Sequence, residues 1–457
     1  MYSGGAGHVL ILGNLVDFTG DPGSAAEFPL VRHEPDGALW LEQGYIRLRG
    51  TRAAVEAAMT TARVLPAQVQ DHRGQLVLPG LIDCHLHYPQ IGMMASWGAQ
   101  LLDWLQGFTF PAERAFADPA VAHEAAVFVL QRLLAHGTTT ASVFATVHAH
   151  SVDAFLGEAA RVGARMLCGK VMMDRHAPAE LCDTVEQGAH DIADLIARWH
   201  GVDRLRYTVT PRFAPTSSEA QLALASVLYR QAQPAGQTAR GDQAREVPPL
   251  HLQSHLAENA AEIAWVAELY PQRRDYFDVY QVHGLDGPHA IYGHCLHLTD
   301  REQAALRQTR TALAFCPTSN LFLGSGVFDI TRRLDQGFTV GLATDVGAGS
   351  SLSMIRTQAA AYQHSQLAGA PLSPLRAWYL ATLGGARALA LDAQIGNFDV
   401  GKEADIVVLD DGGIAELCRR QARASNLAEH LFALTMLGDE RCVAATYLMG
   451  KPAHRRA

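Results

Sequence analysis

The stretch Leu78–Gly92, LPGLIDCHLHYPQIG, carries an apolar run that ends on two imidazoles, His85 and His87. A Leu/Ile-rich run opened by Pro79-Gly80 reads as a buried strand. Residues two apart on a strand point to the same face, so both rings can look into one cavity. Neutral imidazole is a strong zinc or iron ligand. A buried strand that ends on two such donors suits the C-terminal mouth of a parallel α/β barrel.

Seven further β-like runs follow, at 138–145, 165–174, 205–213, 250–255, 289–294, 311–319 and 338–345. Helical stretches lie between most of them, such as PAVAHEAAVFVLQRLLAHG and REQAALRQTR. Thr216 with Glu219, and Thr299 with Glu302, have capping-box spacing. Eight strand–helix repeats predict an α/β fold, a TIM-like (β/α)8 barrel, over residues 77–395. A doubly wound open sheet is the competing architecture, since periodicity does not report closure.

Residues 8–76 read differently. HVLILGNLVDF, GALWLEQGYIRLRG, ARVLPAQ and QLVLPG are short β runs punctuated by Gly and Asp. The same texture returns in GKEADIVVLD (401–410) and CVAATYLMGK (442–451). Residues 1–76 and 396–457 are therefore expected to form one small β-sandwich domain from both chain ends. Polar residues 233–249 read as a surface loop before the fifth strand.

The chain has 457 residues, 48% of them hydrophobic, and a formal charge of −9. The acidic balance argues against nucleic acid as a partner. No apolar stretch of about 20 residues predicts a membrane span. The N-terminus lacks a basic segment before its apolar run, so no secretory signal is expected. Seven scattered cysteines without a CxxC pair fit reduced thiols in the cytoplasm.

In a barrel of this kind, strand C-termini build the active site. The first strand offers His85 and His87, the fourth Arg212, the fifth His255, the sixth His294 and the eighth Asp345. A catalytic metal needs three or four protein ligands and an open position. His85, His87, His255 and Asp345 supply that set, although any one histidine alone is more simply a hydrogen-bonded structural residue. Glu258, three residues past His255, can shuttle a proton or serve as a helix-start acid. His148 and His150 repeat the HxH spacing but fall beyond the second strand, on a loop, where His148 could at most support the site from behind. His251 shares a face with His255 one pleat deeper, in the barrel interior. Lysine occurs only at 170, 402 and 451. None ends the fourth strand, where a bridging carbamylated lysine would stand, so one metal ion is expected rather than two.

PGLIDCHLH, HLAEN, the strand end at His294 and LATDVGAG resemble the amidohydrolase superfamily over nearly the whole chain. Within it, the sequence is similar to the guanine deaminase branch. The stretches that carry this are HYPQ, WLQGFTFPAE (104–113), VTPRF (209–213), QSHLAEN (253–259), CPTSNLFLGSG (316–326) and TDVGAGSSLSM (344–354). The resemblance implies one zinc ion per chain, iron being the alternative, held by His85, His87, His255 and Asp345. It implies substrate contacts from Gln90, Arg212 and Phe213, with His294 touching substrate or the attacking oxygen. Glu258, His294 and Asp345 would be catalytic in hydrolysis of guanine to xanthine and ammonia, in a cytoplasmic homodimer. Physical chemistry agrees: Gln90 can read an amide-like edge, Arg212 a carbonyl or ring nitrogen, and Phe213 a ring face. Each has a plainer alternative: Gln90 as a loop cap, Arg212 as an ion-pair partner, Phe213 as core. Trp97 and Trp104 are expected to pack near the pocket. A related deaminase acting on 8-oxoguanine, a pterin or a triazine would share the metal ligands. A non-catalytic barrel would require a broken ligand, and none is broken.

Overall fold

The computed structural model describes residues 7–23, 30–98, 100–231 and 247–456. The chain divides into two compact units. Met1–Asp83, Gln131–Thr140 and Leu352–Ala457 form one, and Cys84–Leu130 with Ala141–Ser351 form the other.

The first unit holds a seven-stranded sheet drawn from both chain ends. Its order is Lys451–Arg455, Val443–Leu448, Ile406–Leu409, Gln68–Pro79, His8–Phe18, Val31–Glu42 and Tyr45–Thr51. Strand alternation sorts its side chains into two cores. Ile11, Leu15, Leu39, Leu41, Ile46, Ile406, Val408 and Tyr447 share one cluster, although Ile46 and Tyr447 lie near opposite edges of the strand order. That face is the interior of a sandwich made by one sheet curling on itself. Leu10, Leu12, Ala38 and Trp40 face the other way and pack on Val55 and Met59 of the helix Arg52–Ala62. This helix replaces part of the β texture expected there. Thr51 caps its start, and the run ARVLPAQ is its C-terminal exit, turned by Arg63 at φ 56°. Two more helices, Ala415–Gln421 and Leu427–Leu437, stand in the C-terminal segment.

The second sheet is parallel and follows chain order among the described residues. Its strands are Leu81–His87, Thr138–Phe144, Arg165–Gly169, Arg206–Pro211, His251–Leu256, Ala290–His294, Ala312–Phe315 and Val340–Leu342, with Val171–Met172 pairing beside the fourth. The eight expected strands are all present. The ring closes where the Asp345 N–H donates to the His85 carbonyl (2.9 Å) and the His87 N–H to the Val346 carbonyl (2.6 Å). Closure selects the barrel over the open sheet. Two residues before His255 on the same face, Gln253 donates to the Val143 carbonyl (2.9 Å) and accepts from Ser142 (2.7 Å), so this interior amide is satisfied.

Several strands stop earlier than the sequence suggests, the seventh and eighth most plainly. The seventh ends at Phe315 because Pro317 opens the helix Pro317–Phe322. The eighth ends at Leu342, and Asp345 follows on an irregular segment. The Thr299–Glu302 capping box forms. The Thr216–Glu219 box does not: Thr216 lies in a short 3-10 turn, and Ser218 accepts the first-turn N–H of Gln221 instead. Of the expected 233–249 loop, residues 233–246 lie outside the described residues. Among the described residues, no helix is long and apolar enough to cross a membrane.

Candidate active site

His85 and His87 end the first barrel strand, buried, with rings at centroid distances of 4.7 and 4.5 Å from Phe144 at the end of the second. The strand period puts both on the inner face, as their spacing predicts. His255 enters from the fifth strand, and its Nε2 lies 3.1 Å from His87 Nε2. Asp345 Oδ1 lies 3.4 Å from His85 Nε2 and 3.6 Å from His87 Nε2. Four bonds of about 2.0–2.1 Å in a tetrahedron would separate donor atoms by about 3.3–3.4 Å. The spacing of these side chains fits a metal ion. The groups His85–His87–His255 and His85–His294–Asp345 can each hold an ion, and they share His85, so they describe one centre.

The surroundings prepare the donors. His255 Nδ1–H donates to the Arg212 carbonyl (2.6 Å), which leaves Nε2 with its lone pair toward the centre. Burial drives the imidazoles of His85, His87 and His255 below their ordinary pKa, so they stay neutral. Burial would raise the Asp345 carboxyl, but the His85 hydrogen bond and the nearby His294 hold it below its usual value. Gly293 passes so near that a Cβ there would sit 3.0 Å from His85 Cε1. His294 and Asp345 adopt φ of 66° and 50°. Non-glycine residues rarely occupy this region, and such geometry concentrates at functional sites.

Glu258 lies just past the fifth strand, after a left-handed turn at Ala257. It is not the helix-start acid. Asn259 caps the helix Ala260–Leu269 and Glu262 completes the capping box. Glu258 Oε2 is thereby free to reach within 3.4 Å of His294 Nε2, while Ser325 Oγ donates to Glu258 Oε1 (3.1 Å). Burial pushes the Glu258 carboxyl up to about 7. Burial lowers His294, but the carboxylates of Glu258 and Asp345 more than restore it, so its pKa is raised. His294 Nδ1–H donates to Asn320 Oδ1 (2.9 Å). A carboxyl raised to about 7 beside a polarised imidazole can give and take protons near neutral pH.

Gln90, Arg212 and Phe213 line the same cavity as His87, His255, Glu258, His294 and Asp345. Gln90 does belong to a short 3-10 turn, Tyr88–Met93, and Arg212 does have an ion-pair partner, Glu113. Phe213 is also part of an apolar cluster with Trp104 and Phe110. For all three, the plainer role and the cavity position coexist. Trp104 packs at the cavity as expected, whereas Trp97 is 86% exposed. His148 ends the expected loop at the N-cap position of the helix Ala149–Val162, without a side-chain cap bond, whereas His150 lies in the helix's first turn. His150 is spent on the Phe116 carbonyl (2.7 Å). His251 is buried at the far end of its strand against His289. Lys170 is buried and paired with Asp183, and it belongs to neither metal-capable group.

Three residues without an assigned role hold the site in place: Glu113, Asn320 and Ser325. All three fall inside stretches whose family resemblance is visible, which was the only signal for them.

The chain matches the amidohydrolase family over residues 76–453. It is 42% identical over 447 residues to the guanine deaminase of Escherichia coli (strain K12), covering 98% of each chain. A crystal structure of guanine deaminase from Bradyrhizobium japonicum superimposes with a TM-score of 0.90 at 32% identity, over 99% of this chain and 100% of that one. Guanine deaminase from C. acetobutylicum, solved with guanine bound in its active site, gives 0.84 at 26% identity, over 97% of this chain and 99% of that one. The chain belongs to the amidohydrolase family and, within it, to the guanine deaminases.

Proposed function

We infer that this enzyme hydrolyses guanine to xanthine and ammonia with a single metal ion. The observation that carries the reading is the convergence of His85, His87, His255 and Asp345 on one centre beside Gln90, Arg212 and Phe213 in one cavity. Three imidazoles and one carboxylate suit zinc, and iron fits the same donors. Bound there, the ion supplies Lewis acidity that brings the pKa of water toward neutrality.

The residues do the rest. Phe213 packs on the flat base, while Gln90 and Arg212 hold its polar edge and present C2 to the centre. Asp345 takes one proton from the attacking water as its oxygen bonds to C2. Glu258, whose carboxyl is raised to about 7 and so still carries a proton in part near neutral pH, gives that proton to N3, where it stays in xanthine. His294 hydrogen-bonds the oxygen as charge develops. Glu258 then takes the proton of the new C2 hydroxyl, and Asp345 returns its own to the exocyclic nitrogen, which leaves as ammonia. The reading includes a homodimer in a reducing cytoplasm, in keeping with seven unbridged cysteines.

The deciding assay is ammonia release from guanine, adenine, cytosine and 8-oxoguanine by metal-loaded enzyme. Guanine is expected to lead by a wide margin. Equal or better turnover of another base would move the assignment to a different deaminase.

A further inference from the structure

Glu113 is completely buried and carries no role in the reaction as described. Its carboxylate accepts from Arg212 NH1 through both oxygens, at 2.8 and 2.7 Å. Oε1 also accepts from Gln90 Nε2 at 3.0 Å. One buried anion thus grips both polar side chains expected to read the base. Gln90 Oε1 in turn accepts from the Gly347 N–H (3.3 Å), so the amide cannot be turned over without placing donor against donor and acceptor against acceptor. Gln90 retains one N–H and one lone pair for a ligand. The Arg212 guanidinium is neutralised by Glu113, lies 5.7 Å from the Phe110 ring centroid, and spends only NH1 on the pair.

The path of the chain supports a built site. Leu101, Trp104 and Leu105 face inward with helical spacing, and an unbroken α-helix would next bring Phe108 inside. Phe108 is instead 36% exposed, while Thr109, Phe110 and Glu113 are buried. The residues Leu105–Thr109 form a π-helical turn, which inserts one position and rotates everything after it. The rotation delivers Glu113 to Arg212.

We propose that Glu113 is the positioning residue for base recognition: it fixes which way the Gln90 amide faces and where the Arg212 guanidinium points. The inference rests on the guanine reading above. Glu113→Gln keeps the shape but sets an NH2 group against one of the two donors and leaves the Arg212 charge uncompensated.

The test compares Glu113→Gln and Glu113→Asp with the parent for steady-state kinetics on guanine, metal content, and binding of xanthine. In Glu113→Gln, metal per chain is expected to match the parent. KM for guanine and Kd for xanthine should rise roughly 10- to 100-fold, the range for charge-assisted hydrogen bonds. Glu113→Asp should retain part of the affinity. Parental KM and Kd, with activity lost only in step with folded, metal-loaded protein, would overturn the proposal. Should Glu113→Gln not fold, Glu113→Asp decides: raised KM at parental metal content supports the role, and parental KM overturns it. A parent that binds metal but releases no ammonia from guanine would instead overturn the substrate reading, and this inference with it.

Discussion

At the residue scale, Glu258 carries the most specific expectation. Its carboxyl is buried, raised to about 7, and faces His294 while Ser325 holds its other oxygen. Glu258→Gln preserves size and replaces none of the four metal ligands. It should retain full metal content and lose roughly 10²–10⁴-fold in kcat, the usual worth of general acid–base help. Elemental analysis and single-turnover kinetics check this, and near-parental kcat would remove Glu258 from the proton path. His85 and His87 were legible because two-residue alternation is a local property of a strand. Asn320 and Ser325 were not, since a hydrogen bond to a side chain 26 residues away, or 67, leaves no periodic trace.

At the element scale, the π-helical turn makes a sharper demand than any one side chain. Inserting one alanine after Gly107 should rotate the residues that follow by about 100° and swing Glu113 off Arg212. Gly107 has nothing within 4 Å of a Cβ position, so the chain has room there for the added residue. Catalytic efficiency on guanine is expected to fall by about 10²-fold or more, as for ångström-scale misplacement of a positioning group. Metal content should hold, because no ligand lies in that helix. Parental efficiency in that variant would show that the register of this helix does not place Glu113. Helix Arg52–Ala62 shows why some elements escaped the sequence: its buried face is only Val55 and Met59, too little apolar pattern to outweigh the β texture around it.

At the scale of the whole molecule, pH stability offers an independent check through His136, far along the chain from any ligand. Burial, then the charges of Arg132 and His454, lower its pKa to about 4. Neutral His136 Nε2 accepts from Arg132 NH2 (3.1 Å), a bond that protonation destroys. The unfolded imidazole takes its proton near 6.5, so the unfolded state binds more protons between the two values. Stability is therefore full above about pH 6.5 and falls as pH drops toward 4, by roughly 3 kcal/mol from this residue. Urea midpoints for the parent and His136→Gln should converge as the pH falls through this window. Parallel curves would show that His136 does not titrate on unfolding.

The amino-acid sequence by itself determined the alternation of strands and helices, the paired histidines on one face, and the strand-terminal donors His255 and His294. Each follows from periodicity and backbone propensity within about ten residues, which a linear pattern records. Only the tertiary structure decided that the sheet closes, through Asp345 and Val346 meeting His85 and His87. It alone decided that Asp345 reaches the centre from beyond its strand, and that Glu113 holds Gln90 and Arg212 together from 23 and 99 residues away. Those facts depend on closing the ring and on a one-residue shift within a helix. Both set which distant side chains meet, and neither changes the local pattern of apolar and polar residues from which a sequence is read.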